Sequence, residues 1–261
     1  MRFFLSFPVL ALLACSCTKT EPELPYSLPL NMNVTLFEGT NAKRIIADFH
    51  YRDEDHLLDH ITWSNHQTHY FQFDEADRLA LLTMVRVDAK EQEEWWFRYG
   101  GAGVERVDVV KRNLDYIYLE PLDSIYQGSI RYEYDKKHIV KETRMAADAG
   151  GETAESVTDY TRDKKGNILS KVTSKPGLGV VETLNLTYDG EKHPYADLPY
   201  YFSGESFVNN ALTLRNEEEN MDFEYEVHLN ALGYPESIYE TLGSANTRII
   251  RYTYLDFEPG E

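Results

Sequence analysis

The feature that most constrains this chain is a short unit that recurs along it. An aromatic-x-aromatic pair is followed by a polar turn, and then by apolar residues at alternate or near-alternate positions. Copies are HYRDEDHLLDHI (50–61), YFQFDEADRLALL (70–82), WFRYGGAGVERV (96–107), RYEYDKKHIVKE (131–142), YTRDKKGNILSKV (160–172), LTYDGEKHPYADL (186–198) and VHLNALGYPESI (227–238). RYTYLDF (251–257) is a last half unit. Aligned on the residue before each turn, the anchors are Tyr51, Phe73, Tyr99, Tyr134, Arg162, Tyr188, Leu229 and Tyr254. Alternation with period two is the signature of a strand with two unlike faces, and a chain of such units folds as consecutive hairpins.

The turns carry the physical argument. In Asp163-Lys164-Lys165-Gly166-Asn167 the aspartate is placed to accept backbone N–H groups, and the glycine supplies the positive φ that starts a bulge. On the same frame the positive-φ position holds Asp55, Asp77, Gly103, His138, Gly166, Lys192 and Gly233. All but Lys192 are of types that tolerate the left-handed region. Aromatic residues make up 13% of the chain and suit a pleated, half-buried surface. The predicted fold is all-β: an antiparallel meander of consecutive hairpins forming one extended, twisted sheet, open or curled into a half-barrel. Whether its ends meet is left open. Short helical turns are expected at 119–127 and 203–210. The acidic runs Asp53–Asp55, Glu91–Glu94 and Glu217–Glu219 are expected on a solvated second face.

The unit resembles the YD repeat of RHS-type proteins. Arg131-Tyr132-Glu133-Tyr134-Asp135 matches its first half and Asp163-Lys164-Lys165-Gly166-Asn167 its second. Leu186 to Pro194 is close to a TYD…NP-like element, with His193 where Asn is usual. Together with the N-terminus described next, the chain resembles uncharacterised Bacteroidetes lipoproteins that carry a β-rich domain of degenerate YD/RHS-like repeats. The resemblance covers roughly residues 45–257. It implies a fold and a cell-envelope compartment, and it implies no activity.

Met1-Arg2 is followed by an apolar run to Ala14, too short for a stable membrane span. The run ends in Leu12-Leu13-Ala14-Cys15-Ser16-Cys17, which resembles a bacterial lipobox and holds both cysteines of the chain. Cys15, with Leu at −3 and Ala at −1, is the favoured lipidation site; Cys17, with Ala at −3 and Ser at −1, is the alternative. Two or more acyl chains give stable attachment. The expected organisation is a signal peptide over 1–17, a Pro-rich tether over 18–31 and one β-domain over 32–261, on an outer-membrane lipoprotein.

Composition narrows the partners. With 26 Lys+Arg against 44 Asp+Glu, the net charge is −18. This argues against nucleic acid and against docking on anionic lipid through a basic face. Five histidines (His50, His56, His60, His66 and His69) cluster, but His56 and His60 read as lying about 13 Å apart along a strand, too far to share a metal. No metal and no cofactor are expected. Ser residues lack a G-x-S-x-G setting, and Gly100-Gly101-Ala102-Gly103 reads as a hairpin turn and not a phosphate loop.

Adjacent strand residues face opposite ways, so Trp95 and Trp96 place one ring in the core and one outside. Trp95, Trp96 and Tyr99 are the candidate ligand-facing aromatics. The expected function is a non-catalytic binding or structural sheet surface on a lipid-anchored envelope protein. The alternatives are a glycan- or nutrient-capture accessory with exposed coplanar aromatics, and an envelope hydrolase with a His/carboxylate pocket.

Overall fold

The structure, a computed structural model, describes residues 26–38, 41–53, 56–115, 123–136, 138–194 and 208–257. The segment read as a signal peptide and lipobox, with Cys15 and Cys17, and residues 18–25 of the expected tether lie outside the described residues. The strands are β1 (Tyr26–Glu38), β2 (Asn41–Tyr51), β3 (Leu58–Trp63), β4 (Gln67–Phe73), β5 (Leu79–Arg86), β6 (Glu91–Tyr99), β7 (Val104–Asn113) and β8 (Ile125–Asp135). They continue as β9 (His138–Asp148), β10 (Gly151–Arg162), β11 (Ile168–Lys175), β12 (Gly179–Lys192), β13 (Asn209–Asn216), β14 (Met221–Leu229), β15 (Pro235–Leu242) and β16 (Ala245–Phe257). Each pairs antiparallel with its sequence neighbours. β16 returns to pair with β1, in register from Tyr26↔Phe257 to Leu36↔Arg248, so the sheet is a closed barrel.

Closure corrects the open or half-barrel ribbon. The unpaired edges of β1 and β16 satisfy each other, which removes the exposed ladder that an open meander would present. It also moves the domain boundary. Residues 26–31, assigned by sequence to the tether, belong to β1, and Pro29 is fully buried at an irregularity of the β1–β16 ladder, a position where the missing N–H is tolerated. Of the expected helical turns, Ile125 to Gln127 and Asn209 to Asn210 are strand, and residues 119–122 and 203–207 lie outside the described residues.

The seven repeat turns all lie at one end of the barrel, where the first residues of β1 and the last of β16 also meet. In four of them an Asx side chain organises the backbone, and in one of these Asp189 Oδ1 accepts from the N–H groups of Glu191 and Asn210. Asp163 Oδ1 accepts from the N–H groups of Lys165, Gly166 and Asn167 at 2.8, 2.8 and 2.9 Å. Asp74 Oδ1 accepts from Ala76 and Arg78, and Asn230 Oδ1 from Leu232 and Tyr234. Asp77, Gly103, Gly166 and Gly233 have the predicted positive φ. Asp55 lies outside the described residues. At two positions the expectation is corrected. Between β8 and β9 the left-handed residue is Lys136 and not His138, because β9 already starts at His138. Lys192 is still within β12.

All eight anchors stand at a register shift. Tyr51 faces Leu58, Phe73 faces Leu79, Tyr99 faces Val104, Tyr134 faces Ile139 and Arg162 faces Ile168. Tyr188 faces Ala211, Leu229 faces Pro235, and across the closing seam Tyr254 faces Pro29. Five anchors then donate to a carbonyl on the preceding strand. Tyr51, Tyr99, Tyr134 and Tyr254 Oη bond to the carbonyls of Pro29, Leu79, Val104 and Pro235 at 2.7, 2.9, 3.0 and 2.7 Å. Arg162 Nε does the same to Ile139 at 2.8 Å. Within a repeat the turn ties two strands together. Between repeats no turn exists at this end, and the anchor side chain makes the tie.

Inside and outside follow from register. Ladder partners share a face, and one face carries Met32, Ala47, Phe49, Ile61, Phe71, Val107, Ile130, Tyr132 and Tyr160, all buried. A face turned outward on a lone barrel stays solvated, so this one is the interior. Its side chains form two apolar clusters near the repeat-turn end, one on β16 and β1–β5, the other on β7–β11. The outward face reads as Asn31, Asn33, Arg44, Asp48 and His50 on β1–β2 and as Asp222, Glu224, Glu226 and His228 on β14, all exposed or half-buried. A membrane-spanning barrel has the reverse arrangement, an apolar outward band around a polar lumen.

Candidate functional site

Between the two apolar clusters the interior wall runs along β12–β15, bounded by Ile168 on β11 and Tyr252 on β16. It forms a cavity of about 350 Å³. This is the size range of pockets that hold small organic ligands. Leu184, Leu186, Leu214, Ile238 and Ile250 supply apolar wall, and Tyr188, Tyr225 and Tyr252 supply rings. Each residue is there by period-two phase: Leu184, Leu186 and Tyr188 on β12, Arg248, Ile250 and Tyr252 on β16. At the repeat-turn end the cavity meets His193, Asn209 and Asn210.

Polar groups in this cavity are few and unequally matched. Arg248 is paired with Glu240, which also accepts from Thr247 Oγ1 at 2.8 Å, yet Arg248 Nε is buried without a partner. Asn210 is 1% exposed; its Nδ2 donates to Asp189 Oδ2 at 3.0 Å, while its Oδ1 is unpartnered. Lys171 makes no ion pair with any described residue. Desolvation pushes the Tyr225 hydroxyl well above the usual phenol range, and burial holds His193 neutral with its pKa down at about 3.

Toward the opposite end the interior turns polar. Glu91 pairs with Lys111 at 2.5 Å and with Arg86, and Glu93 accepts from Trp95 Nε1 at 2.6 Å. Arg86, Glu91, Glu93, Lys111 and His69 line a second cavity of about 360 Å³. Burial lowers the His69 pKa to about 4. The expectation that Glu91–Glu94 lies on the solvated face is therefore corrected. Strand parity turns Glu91 and Glu93 inward, and Glu94 faces outward but is covered by Arg112, at 2.8 Å.

Strand parity also separates the candidate aromatics. Trp95 and Tyr99 face inward; Trp96 faces outward, is 44% exposed and donates Nε1 to Glu94 Oε2 at 3.0 Å. The three do not form one platform. Tyr99 is tied to the Leu79 carbonyl, with the Arg78 guanidinium 4.4 Å over its ring. Trp96 instead borders an outer groove with Arg98, Arg106, Asp108 and the exposed Tyr126. An ion network runs beneath. Asp108 takes Arg98 at 2.6 Å and Arg106 at 2.5 Å, and Glu152 takes Arg106 at 3.0 Å and Arg131 at 2.5 Å. Desolvation raises the Glu152 pKa, but hydrogen bonds from Tyr126 and Arg131 and the Arg106 charge outweigh it and hold it at about 2.

Two of the five clustered histidines come together in a way that spacing along one strand does not reveal. His50 and His60 are ladder partners on the outward face, stacked 4.1 Å apart with planes 9° from parallel. His60 Nδ1 lies 2.7 Å from Asp59. His56 and His66 occupy left-handed turn positions, and His69 points inward. Among the described residues no three His, Cys, Asp or Glu side chains converge as metal ligands.

Sequence reasoning did not single out Lys171, Asn210, Tyr225 or Arg248. The available signal was a cation in an otherwise apolar phase, as in Arg248-x-Ile250-x-Tyr252.

No family model matches the chain, and no curated protein matches it. Among solved structures, a porin-like protein from Bacteroides uniformis ATCC 8492 is similar in fold, with a TM-score of 0.55, 8% identity, and coverage of 87% of this chain and 96% of that one. A TcdB2-TccC3-Cdc42 complex aligns over 81% of this chain and 11% of that chain, at 14% identity and a TM-score of 0.34. The likeness to the first shows a shared β-barrel architecture.

Proposed function

We propose that this protein is a lipid-anchored cell-envelope barrel with a non-catalytic binding or structural role, held at the outer membrane through Cys15 and not through its wall. The observation that carries this reading is the outward face of the wall, which carries exposed or half-buried charged and polar side chains on β1–β2 and β14. Such a wall is soluble in water and costly to place in lipid. The tether then joins the barrel where β1 begins, at the repeat-turn end. A non-catalytic role is supported by the state of the interior ionisable groups. Glu91, Glu142 and Glu240 are each tied to a cation, and His69 and His193 are held neutral by burial. Labelling with radioactive palmitate tests the anchor. The full chain incorporates label and sediments with membranes, and Cys15→Ser abolishes both. Label retained by Cys15→Ser and lost by Cys17→Ser moves the site to Cys17. An unlabelled, soluble wild-type chain overturns the reading.

A second reading, glycan capture, is favoured by the outer groove. Trp96 and Tyr126 expose rings beside Arg98, Arg106 and Asp108, the mixture of stacking and charged hydrogen-bonding groups that sugars use. Oligosaccharide arrays probed with wild type and Trp96→Ala test it. Equal signal from both ends this reading and leaves the anchor intact.

A further inference from the structure

We propose that the cavity beside β11–β16 binds a single-chain amphiphile with one anionic head group, its chain against the apolar wall and its head at Lys171. This deepens the binding role proposed above by naming a ligand class, and it rests on that role but not on the lipid anchor.

Three observations converge. The first is the layering of the lumen. Buried Ile168 with Leu186, Ile250 and Tyr252 forms an apolar stretch between His193, Asn209 and Asn210 at the repeat-turn end and the cations Lys171 and Arg248 further along β11 and β16. A ligand with an apolar chain on that stretch and an anionic head at the cationic side matches it.

The second is the charge balance. Arg248 is neutralised by Glu240, whereas Lys171 makes no ion pair with any described residue, and His193 is neutral. The cavity therefore holds one uncompensated positive charge. An ammonium group on a partly desolvated wall gains from an anion placed beside it.

The third is an unspent donor. Arg248 Nε is buried with no acceptor, although buried polar atoms are almost always satisfied. A head-group oxygen, or a water bound to it, supplies the missing acceptor. The Asn210 amide oxygen, likewise unsatisfied, lies at the repeat-turn end of the same cavity. The volume, about 350 Å³, suits a ligand of one chain and not a phospholipid with two.

The test titrates the full chain with dodecanoate carrying a 13C-labelled carboxyl group, and with dodecyl phosphate, dodecan-1-ol and dodecyltrimethylammonium. The expected result is one saturable site at which both anions bind at least tenfold more tightly than the alcohol, and the cation not at all. Lys171→Gln should abolish the anion preference while leaving the melting temperature within a degree or two and the alcohol affinity unchanged. Leu214→Trp, which fills the apolar wall, should weaken all the probes at least tenfold. Equal affinity for dodecanoate and dodecan-1-ol in the wild-type chain overturns the proposal, as does a Lys171→Gln variant that keeps the preference, or the lack of saturable binding by any probe. Membrane sedimentation of the same preparation reports on the anchor separately, so a failed titration and a failed anchor are distinguishable.

Discussion

Tyr51 Oη donates to the Pro29 carbonyl at 2.7 Å, while Tyr254, which faces Pro29 across the closing seam, donates to the Pro235 carbonyl at the same distance. These bonds tie β2 to β1 and β16 to β15, so each strand of the seam is held to its other neighbour by the side-chain bond that joins repeats elsewhere. Across the seam a repeat anchor, Tyr254, faces Pro29 on a strand that the sequence pattern does not count as a repeat.

The Pro235 carbonyl belongs to a fully buried residue, so removing its donor leaves an acceptor unpaired. Tyr254→Phe keeps the ring and deletes the hydroxyl. It should cost about 1–2 kcal/mol in urea unfolding with the slope unchanged. Tyr99→Phe, which frees the Leu79 carbonyl, should behave alike. A cost below ~0.3 kcal/mol for both would show that the ties are not holding the repeats together.

Gly128 and Gly151 share an unusual backbone, at φ +134° and +118°, but differ in the space around them. A methyl at Gly128 would lie 1.8 Å from the Met145 carbonyl oxygen, whereas at Gly151 it would meet nothing within 4 Å. Gly151→Ala should cost about 1 kcal/mol from backbone strain alone. Gly128→Ala should cost more than ~3 kcal/mol or prevent folding, because the β8–β9 ladder must separate. Comparable melting temperatures would remove the steric argument.

Asp163 holds three backbone N–H groups of its turn and the Asn167 side chain, and Asn167 in turn bonds Asn209 at 2.9 Å. Asp163→Ala should cost on the order of 2 kcal/mol. Hydrogen exchange should quicken at β10–β11 and also near Asn209, because the network spans both. Faster exchange confined to residues 163–167 would show that Asn167 does not couple the two segments.

Acid should weaken the barrel before its carboxylates titrate. Burial lowers the pKa values of His69 and His193 to about 4 and about 3. In the unfolded chain both protonate near pH 6.5, so between that pH and about 4 the unfolded state binds more protons and stability falls as pH falls. His69→Gln should remove part of this slope, on the order of 2 kcal/mol between pH 7 and 4. An unchanged slope in His69→Gln and His193→Gln would mean that neither ring is kept neutral.

The hairpin pattern was legible because each repeat is local. An Asx residue, a positive-φ residue and an aromatic anchor lie within a few positions of one another, and their chemistry dictates a bulged turn whatever surrounds it. This is why the anchors align with eight register shifts, and why Asp77, Gly103, Gly166 and Gly233 adopt the expected backbone. The errors arose where local chemistry was weak, at His138 and Lys192. The acidic run Glu91–Glu94 misled for another reason. Composition suggested solvent for the whole run, but a strand divides consecutive residues between two faces; inward Glu91 is neutralised by Arg86 and Lys111 from other strands, and inward Glu93 accepts from Trp95.

The sequence by itself determined the phase of each strand, and so that Trp95 and Trp96 point opposite ways. It did not determine which of the two points inward. That was decided by ring closure between residues more than 200 positions apart, because a meander gains a true inside only when its last edge pairs with its first. The same closure sets Lys171 on β11 and Arg248 on β16 around one apolar cavity. Hydrogen-bond geometry within a turn is a short-range property that a few residues can encode. The curvature that brings β16 to β1 is the sum of small twists over the whole sheet, and no single segment carries it.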